Sequence, residues 1–106
     1  MNNFCVVVPA HNESVMIEST LRQLIAAGAH PEDIYLVDDC SQDNTGDIGR
    51  SVGVNVLRND PNIGKALGIR RAVNTYRLTE TYEFIALMDA ETLVDLTYFT
   101  EMLKGF

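Results

Sequence analysis

No apolar stretch in this sequence approaches the roughly 20 residues that a membrane-spanning helix needs. The longest apolar runs, Phe4–Val8 and Phe84–Met88, are the length of a strand. Within residues 1–20 no basic start is followed by a long apolar core, because Pro9, His11, Asn12 and Glu13 interrupt it, so no signal peptide is expected. Cysteine is scarce: Cys5 and Cys40 lack CxxC spacing and make no zinc site, so a reduced, cytosolic setting is expected. Basic residues are few, 8 against 15 acidic ones, and the net charge is -7. The basic residues are also dispersed, with Arg70 and Arg71 the only adjacent pair. Such a chain repels a phosphate backbone, and nucleic acid is not an expected partner. A phosphorylated small ligand stays open, since a metal ion or one cation offsets local repulsion. Internal repeats, low-complexity tracts and linkers are lacking as well.

What is present is ordinary globular composition, 46% hydrophobic and 22% charged, over 106 residues. That length holds one core, and residues 1–106 are expected to form a single domain. Four short apolar runs read as strands: Phe4–Val8 ended by Pro9, Ile34–Val37, Val54–Leu57 and Phe84–Met88. Strands without alternation are usually buried on both faces, as in a parallel sheet. Between them lie helical patterns. The first spans about Ser14 to Ala27, with Ile17, Leu21, Leu24 and Ile25 on one face, a left-handed cap expected at Gly28 and Pro31 beyond. A short second helix runs from Thr45 or Gly46 to Ser51, ended by Gly53. A third spans about Ile63 to Arg77 with Ala66, Ile69, Val73 and Tyr76 on one face, and a last runs from about Leu96 to Lys104. The order β-α-β-α-β-α-β-α predicts an α/β three-layer sandwich around a mainly parallel sheet.

In such sheets ligands bind beyond the carboxyl ends of the strands. The loops there hold Glu13, Asp38, Asp39, Asp43, Asp60, Asp89 and Glu91, seven of the 15 carboxylates. Helix N-termini following these loops, or a divalent cation, would offset their mutual repulsion. Asp89-Ala90-Glu91 is the sharpest feature. In an extended segment residues i and i+2 share a side, and two such carboxylates can flank Mg²⁺ or Mn²⁺. Asp38-Asp39 can accept from a ribose hydroxyl or a base N–H, or form an Asx-turn or cap. Gly64, Lys65 and Gly68 open the third helix, where a phosphate could approach the amides or where small residues simply meet the sheet. Neither G-x-G-x-x-G nor the Walker spacing is present. His30 reads as a turn residue, and His11 lies near the ligand edge without a metal partner. Carboxylates around Cys40 disfavour a nucleophilic thiolate, and no serine has a His–Asp set.

Four segments in order carry a resemblance: Val7-Val-Pro-Ala-His-Asn-Glu13, Val37-Asp-Asp-Cys-Ser-Gln-Asp-Asn-Thr45, Asn62-Ile-Gly-Lys-Ala-Leu-Gly68 and Leu87-Met-Asp-Ala-Glu-Thr92. Together they resemble the nucleotide-sugar-binding half of a family 2 glycosyltransferase with the GT-A fold. Cys40 stands where that family more often has glycine, and Glu91 replaces the last aspartate of its D-x-D motif. The resemblance implies a glycosyltransferase that binds a nucleotide-diphospho-sugar, a UDP-sugar foremost, with Mg²⁺ or Mn²⁺. It implies that Pro9, Ala10 and Glu13 line the nucleotide pocket and that Asp39 accepts from the base. Gly64 and Lys65 would lie near the ribose or diphosphate, and Asp89 and Glu91 would bracket the metal.

Family domains of this kind are about twice as long, and their later half supplies the acceptor site and the catalytic base. Neither the E/T-D motif in which that base often lies nor the family's Q-x-x-R-W segment follows Leu96. The base is therefore expected outside these residues, the acceptor is unspecified, and the isolated chain is expected to be inactive. An isolated half would leave a sheet edge and an apolar patch that self-association could cover. The expected location is the cytoplasm, or the cytoplasmic face of a membrane if the parent protein carries membrane helices. The alternatives are a non-catalytic nucleotide-binding domain, a phosphoacceptor receiver-type domain, for which Val37-Asp38-Asp39 follows the wrong strand, and a bare structural domain.

Overall fold

The computed structural model describes residues 3–90. The predicted fourth helix, about residues 96–104, and Glu91 lie outside the described residues. Strands β1 (Phe4–Ala10), β2 (Ile34–Asp38), β3 (Asn55–Arg58) and β4 (Phe84–Leu87) make one sheet, every pair parallel, in the order β3-β2-β1-β4. Helices α1 (Ile17–Ala26), α2 (Thr45–Val52), α3 (Lys65–Thr75) and α4 (Leu78–Thr81) connect them, with a 3₁₀ turn over Pro31–Asp33 before β2.

β1 is buried along its whole length because it sits between β2 and β4 with helices on both sides. Its even residues, Phe4, Val6, Val8 and Ala10, join Ile34, Leu36 and the Ile17, Leu21, Leu24 face of α1. Its odd residues Cys5 and Val7 join Tyr35, Val37, Ala72 of α3 and Leu78 of α4. Two faces, each with its own helices, make the expected three-layer sandwich, and they explain why the run does not alternate in polarity. Burial also pushes the Cys5 thiol up to about 11, so it is an inert core group.

Several boundaries differ from the sequence reading. β1 continues through Pro9 to Ala10. The carbonyl of Val7 accepts from Met88 and that of Ala10 from Asp39, so odd residues bond towards β4 and even ones towards β2. Pro9 is odd, and its missing N–H faces the side on which β4 has already ended. α1 begins at Ile17 instead of Ser14; before it the Glu13 carbonyl closes a turn onto Met16 and Ile17, and the Ser14 amide donates to Asp43. Its far end is as expected: Gly28, at φ +119°, donates to Ile25 while Ala29 donates to Leu24, the paired bonds of a Schellman cap.

β3 is shifted by one residue, to Asn55–Arg58. The third predicted helix, about Ile63 to Arg77, is the shorter α3, and Arg77, at a left-handed φ of +54°, separates it from α4, which lies beyond the predicted end. Its inward face centres on Gly68 and Ala72, with Ile69, Val73 and Tyr76 beside them, while Ala66 is exposed. α2 lies close on the sheet because Gly49 has no Cβ; one there would stand 2.5 Å from Leu36 Cδ2. At the sheet edge, β4 leaves Phe84 46% and Leu87 58% exposed.

Candidate functional site at the carboxyl ends of the strands

The chain runs β1, β2, β3 outward to one side and then returns to place β4 on the other side of β1. The crevice beyond β1 and β4 is thus the topological switch point, where open α/β sheets bind ligands. A cavity of about 160 Å³ opens there, lined by Pro9, Ala10, His11, Glu13, Asp39, Lys65 and Asp89. Complete small-molecule sites usually run from about 300 Å³ upward, so this cavity is smaller than a complete site of that kind.

The loops after β1 and β2 are stitched together by their own polar side chains. The amides of Asn12, Glu13 and Ser14 donate to Ser41 Oγ (2.9 Å), Thr45 Oγ1 (3.0 Å) and Asp43 Oδ2 (3.1 Å). In return Asn12 Oδ1 accepts from the Gln42 amide at 2.7 Å. That bond turns the Asn12 amide nitrogen towards His11 Nε2, 3.2 Å away, while His11 Nδ1 lies 2.7 Å from the Asp39 carbonyl. A carbonyl only accepts, so Nδ1 donates to it, and with Nε2 beside the Asn12 amide His11 is a strut between the loops. Thr45 donates through both hydroxyl and amide to Asp43, and with Ser14 this holds the Asp43 carboxyl down at about 2.

The two consecutive acids after β2 part company. Asp38 is buried and accepts from the Ser41 amide (3.0 Å) and from Arg58 (3.0 Å), so it is a turn and ion-pair residue facing α2. It lines a separate polar cavity with Asp43, Arg50 and Arg58. A Cβ on Gly46 would stand 2.8 Å from Asp38 Oδ2, which accounts for that glycine. Asp39, 7% exposed, faces the switch-point cavity. Its Oδ1 accepts from the Ile63 amide and its Oδ2 from the Gly64 amide, both at 2.9 Å. Asn59 reaches Asp39 Oδ1 at 3.5 Å and is itself held by Arg71.

This arrangement changes the reading of Gly64. Its φ of +89° suits only glycine, and its amide is directed to the Asp39 carboxylate. Gly68 serves close packing, since a Cβ would meet Asn59 Nδ2 at 3.0 Å and Val37 Cγ1 at 3.2 Å. Lys65 reaches across the cavity to Asp89, Nζ to Oδ2 3.1 Å. Of the seven strand-end acids, Glu13, Asp39 and Asp89 share one cavity, Asp38 and Asp43 a second, and Asp60 a third with Arg58 and Arg71. Glu91, the second expected metal ligand, lies outside the described residues. His30 flanks Pro31 as a turn residue, 3.8 Å from Glu32.

Among the described residues no group of three or more His, Cys, Asp and Glu side chains forms a ready-made metal cage. Mg²⁺ and Mn²⁺ do not require one: one or two carboxylates suffice, with phosphate oxygens and water completing the shell. Asp89, a hard oxygen donor on the wall of the switch-point cavity, fits that chemistry.

A parallel α/β sheet with an acid-walled cavity at its switch point belongs to the Rossmann-like class of nucleotide-binding architectures. Within that class the chain belongs to glycosyl transferase family 2, whose model matches residues 5–106. It is 46% identical over 65 residues to an uncharacterized protein of Methanocaldococcus jannaschii, covering 59% of this chain and 26% of that protein. It is 27% identical over 104 residues to the poly-beta-1,6-N-acetyl-D-glucosamine synthase of Staphylococcus aureus, covering 94% of this chain and 24% of the synthase. A mannosyltransferase from Pyrobaculum calidifontis, solved with GDP-Man and Mn²⁺, superposes with a TM-score of 0.73 at 23% identity. That match covers 95% of this chain and 31% of the mannosyltransferase, and it shows the GT-A fold. The chain thus spans about a quarter of the length of these curated relatives. The family match leaves the receiver-type alternative without support. No helix among the described residues is long and apolar enough to cross a membrane.

Proposed function

We propose that this chain is the donor-binding part of a glycosyltransferase that transfers a hexose from a UDP-sugar, with Mg²⁺ or Mn²⁺ at Asp89. The observation that carries the reading is the meeting of Ala10, Asp39, Lys65 and Asp89 around one cavity at the sheet's switch point. They come from the ends of β1, β2 and β4 and from the start of α3. The proposed nucleotide site comprises Pro9, Ala10, Glu13, Asp39, Lys65 and Asp89, which line the cavity together with His11, and Gly64, which bonds to Asp39 behind it.

Asp39 is suited to hold the base. Each carboxylate oxygen accepts two hydrogen bonds, and among the described residues Oδ2 takes one, from Gly64. A base imide N–H, such as that of uracil, fits the remaining position. Gly64 acts through Asp39, by fixing that carboxylate. Lys65 brings a point positive charge that offsets a diphosphate placed among three carboxylates. A divalent cation bound at Asp89 supplies stabilisation of the charge that builds on the departing nucleoside diphosphate.

The acceptor-activating base is proposed to lie outside these 106 residues, with the cytoplasm or the cytoplasmic face of a membrane as the location. A GDP-sugar is the second reading, favoured by the GDP-Man held in the superposed mannosyltransferase. Amide chemical-shift mapping with UDP and with GDP, each with Mg²⁺, tests the site. Shifts confined to the amides of residues 10–13, 39, 64–65 and 89 support it, and shifts elsewhere or none reject it.

A further inference from the structure

We infer that Thr20 is a positioning residue for the Asp89-Ala90 segment: its hydroxyl fixes the carbonyl of the residue next to Asp89. The inference rests on the reading of that segment as the metal-binding part of the donor site. Thr20 Oγ1 donates to the Ala90 carbonyl at 3.0 Å, across 70 residues of sequence. Both residues are 0% exposed, so the bond is shielded from water and neither group has a solvent alternative.

Packing does not call for a threonine here. The buried face of α1 is otherwise Ile17, Leu21 and Leu24, and Ala90 belongs to the same apolar cluster. Valine has nearly the same shape and would fill the space without a polar atom to satisfy. A helical threonine commonly turns its hydroxyl back to a carbonyl one turn earlier in its own helix. Thr20 instead spends it on the chain leaving β4.

The consequence is a mechanical link. The turn before α1 is anchored to the β2–α2 loop through the amides of Asn12, Glu13 and Ser14. Thr20 therefore ties the segment bearing Asp89 to the same frame that positions Glu13 and Asp39. Metal ligands depend on such outer hydrogen bonds, whose loss typically costs about 10–100-fold in metal affinity.

The test uses the 106-residue chain and its Thr20→Val and Thr20→Ser variants. Mn²⁺ uptake is followed by electron paramagnetic resonance in the presence of UDP, and separately GDP, with urea unfolding measured alongside. Thr20→Val is expected to raise the Mn²⁺ midpoint about tenfold or more. Thr20→Ser, which keeps the donor and loses the methyl, is expected to stay within about twofold of wild type whatever its stability. A folded Thr20→Val with the wild-type midpoint overturns the inference. So does a Thr20→Ser shift as large as that of Thr20→Val, which would mean packing alone. If Thr20→Val does not fold, Thr20→Cys, a weaker donor of similar size to serine, replaces it. A Cys midpoint about fivefold above that of Ser supports positioning, and equal midpoints overturn it. Wild type that takes up no Mn²⁺ with either nucleotide overturns the donor-site reading itself.

Discussion

Lys65 Nζ stands 3.1 Å from Asp89 Oδ2 and spans the switch-point cavity from the start of α3 to the end of β4. Both side chains are substantially exposed, 61% and 44%, so the pair adds at most about 1 kcal/mol to stability. Under the proposed function its effect is on occupancy: the ammonium competes with a divalent cation for the Asp89 carboxylate. Lys65→Met is expected to tighten binding of Mn²⁺ alone by about 3-fold to 10-fold, at the scale of one exposed pair. Free Mn²⁺ measured by electron paramagnetic resonance checks this, and unchanged or weaker uptake contradicts it.

Asp39 is both a wall of the cavity and the clasp of the loop before α3. Asp39→Asn keeps one acceptor and turns an NH₂ towards the amide of Ile63 or Gly64. An unpaired buried donor costs about 1–3 kcal/mol, so the variant is expected to unfold at lower urea by that amount. Nucleotide affinity is expected to fall with it by about tenfold or more. Unaltered stability would show that the clasp is unimportant.

Cys40 adopts φ +59°, the left-handed region that burdens every side chain. Among the described residues its sulfur makes long contacts, 3.7 Å to Asp60 and 3.7 Å to Arg58. Cys40→Gly is expected to gain about 0.5–1 kcal/mol in urea unfolding, and Cys40→Val to lose more than that. A destabilised glycine variant would mean that the sulfur contacts outweigh the backbone strain.

Acid should loosen the stitched loops through Asp43. Its carboxyl lies at about 2 instead of 3.8, chiefly because the Thr45 hydroxyl donates to it, with Ser14 adding to the effect. A depressed folded-state value stabilises the fold fully above about pH 4, and the contribution disappears as pH falls towards 2. The stability advantage of wild type over Asp43→Asn is therefore expected to be constant above pH 4 and to shrink below it. Chemical unfolding of both proteins at pH 2, 3, 4 and 6 measures it, and an advantage independent of pH over that range contradicts the assignment.

The strands and their carboxyl-end loops were readable because two-sided burial writes β-branched runs such as Val6-Val7-Val8 into the chain. Gly28 announced the end of α1 for an equally local reason. The four-residue α4 after Arg77 was not announced, since a single turn shows no helical period. Nor could spacing say which strand-end acids share a cavity. Asp38 and Asp39 are neighbours on a strand end and so face opposite ways, one to Arg58 and α2, the other to the cavity. The role of His11 depends on Asn12 and Gln42 meeting it from two loops. Thr20 interrupts the apolar face of α1, and its partner 70 residues later gives it a purpose.

The central claim is that the cavity at the β1/β4 switch point binds a nucleoside diphosphate together with a divalent cation. Calorimetric titration of UDP into the chain with Mn²⁺, repeated with EDTA and with Asp89→Ala, tests it most directly. Binding that requires both Mn²⁺ and Asp89 is the predicted result. A folded wild-type chain that binds neither UDP nor GDP, or binds equally with EDTA or without Asp89, would contradict it.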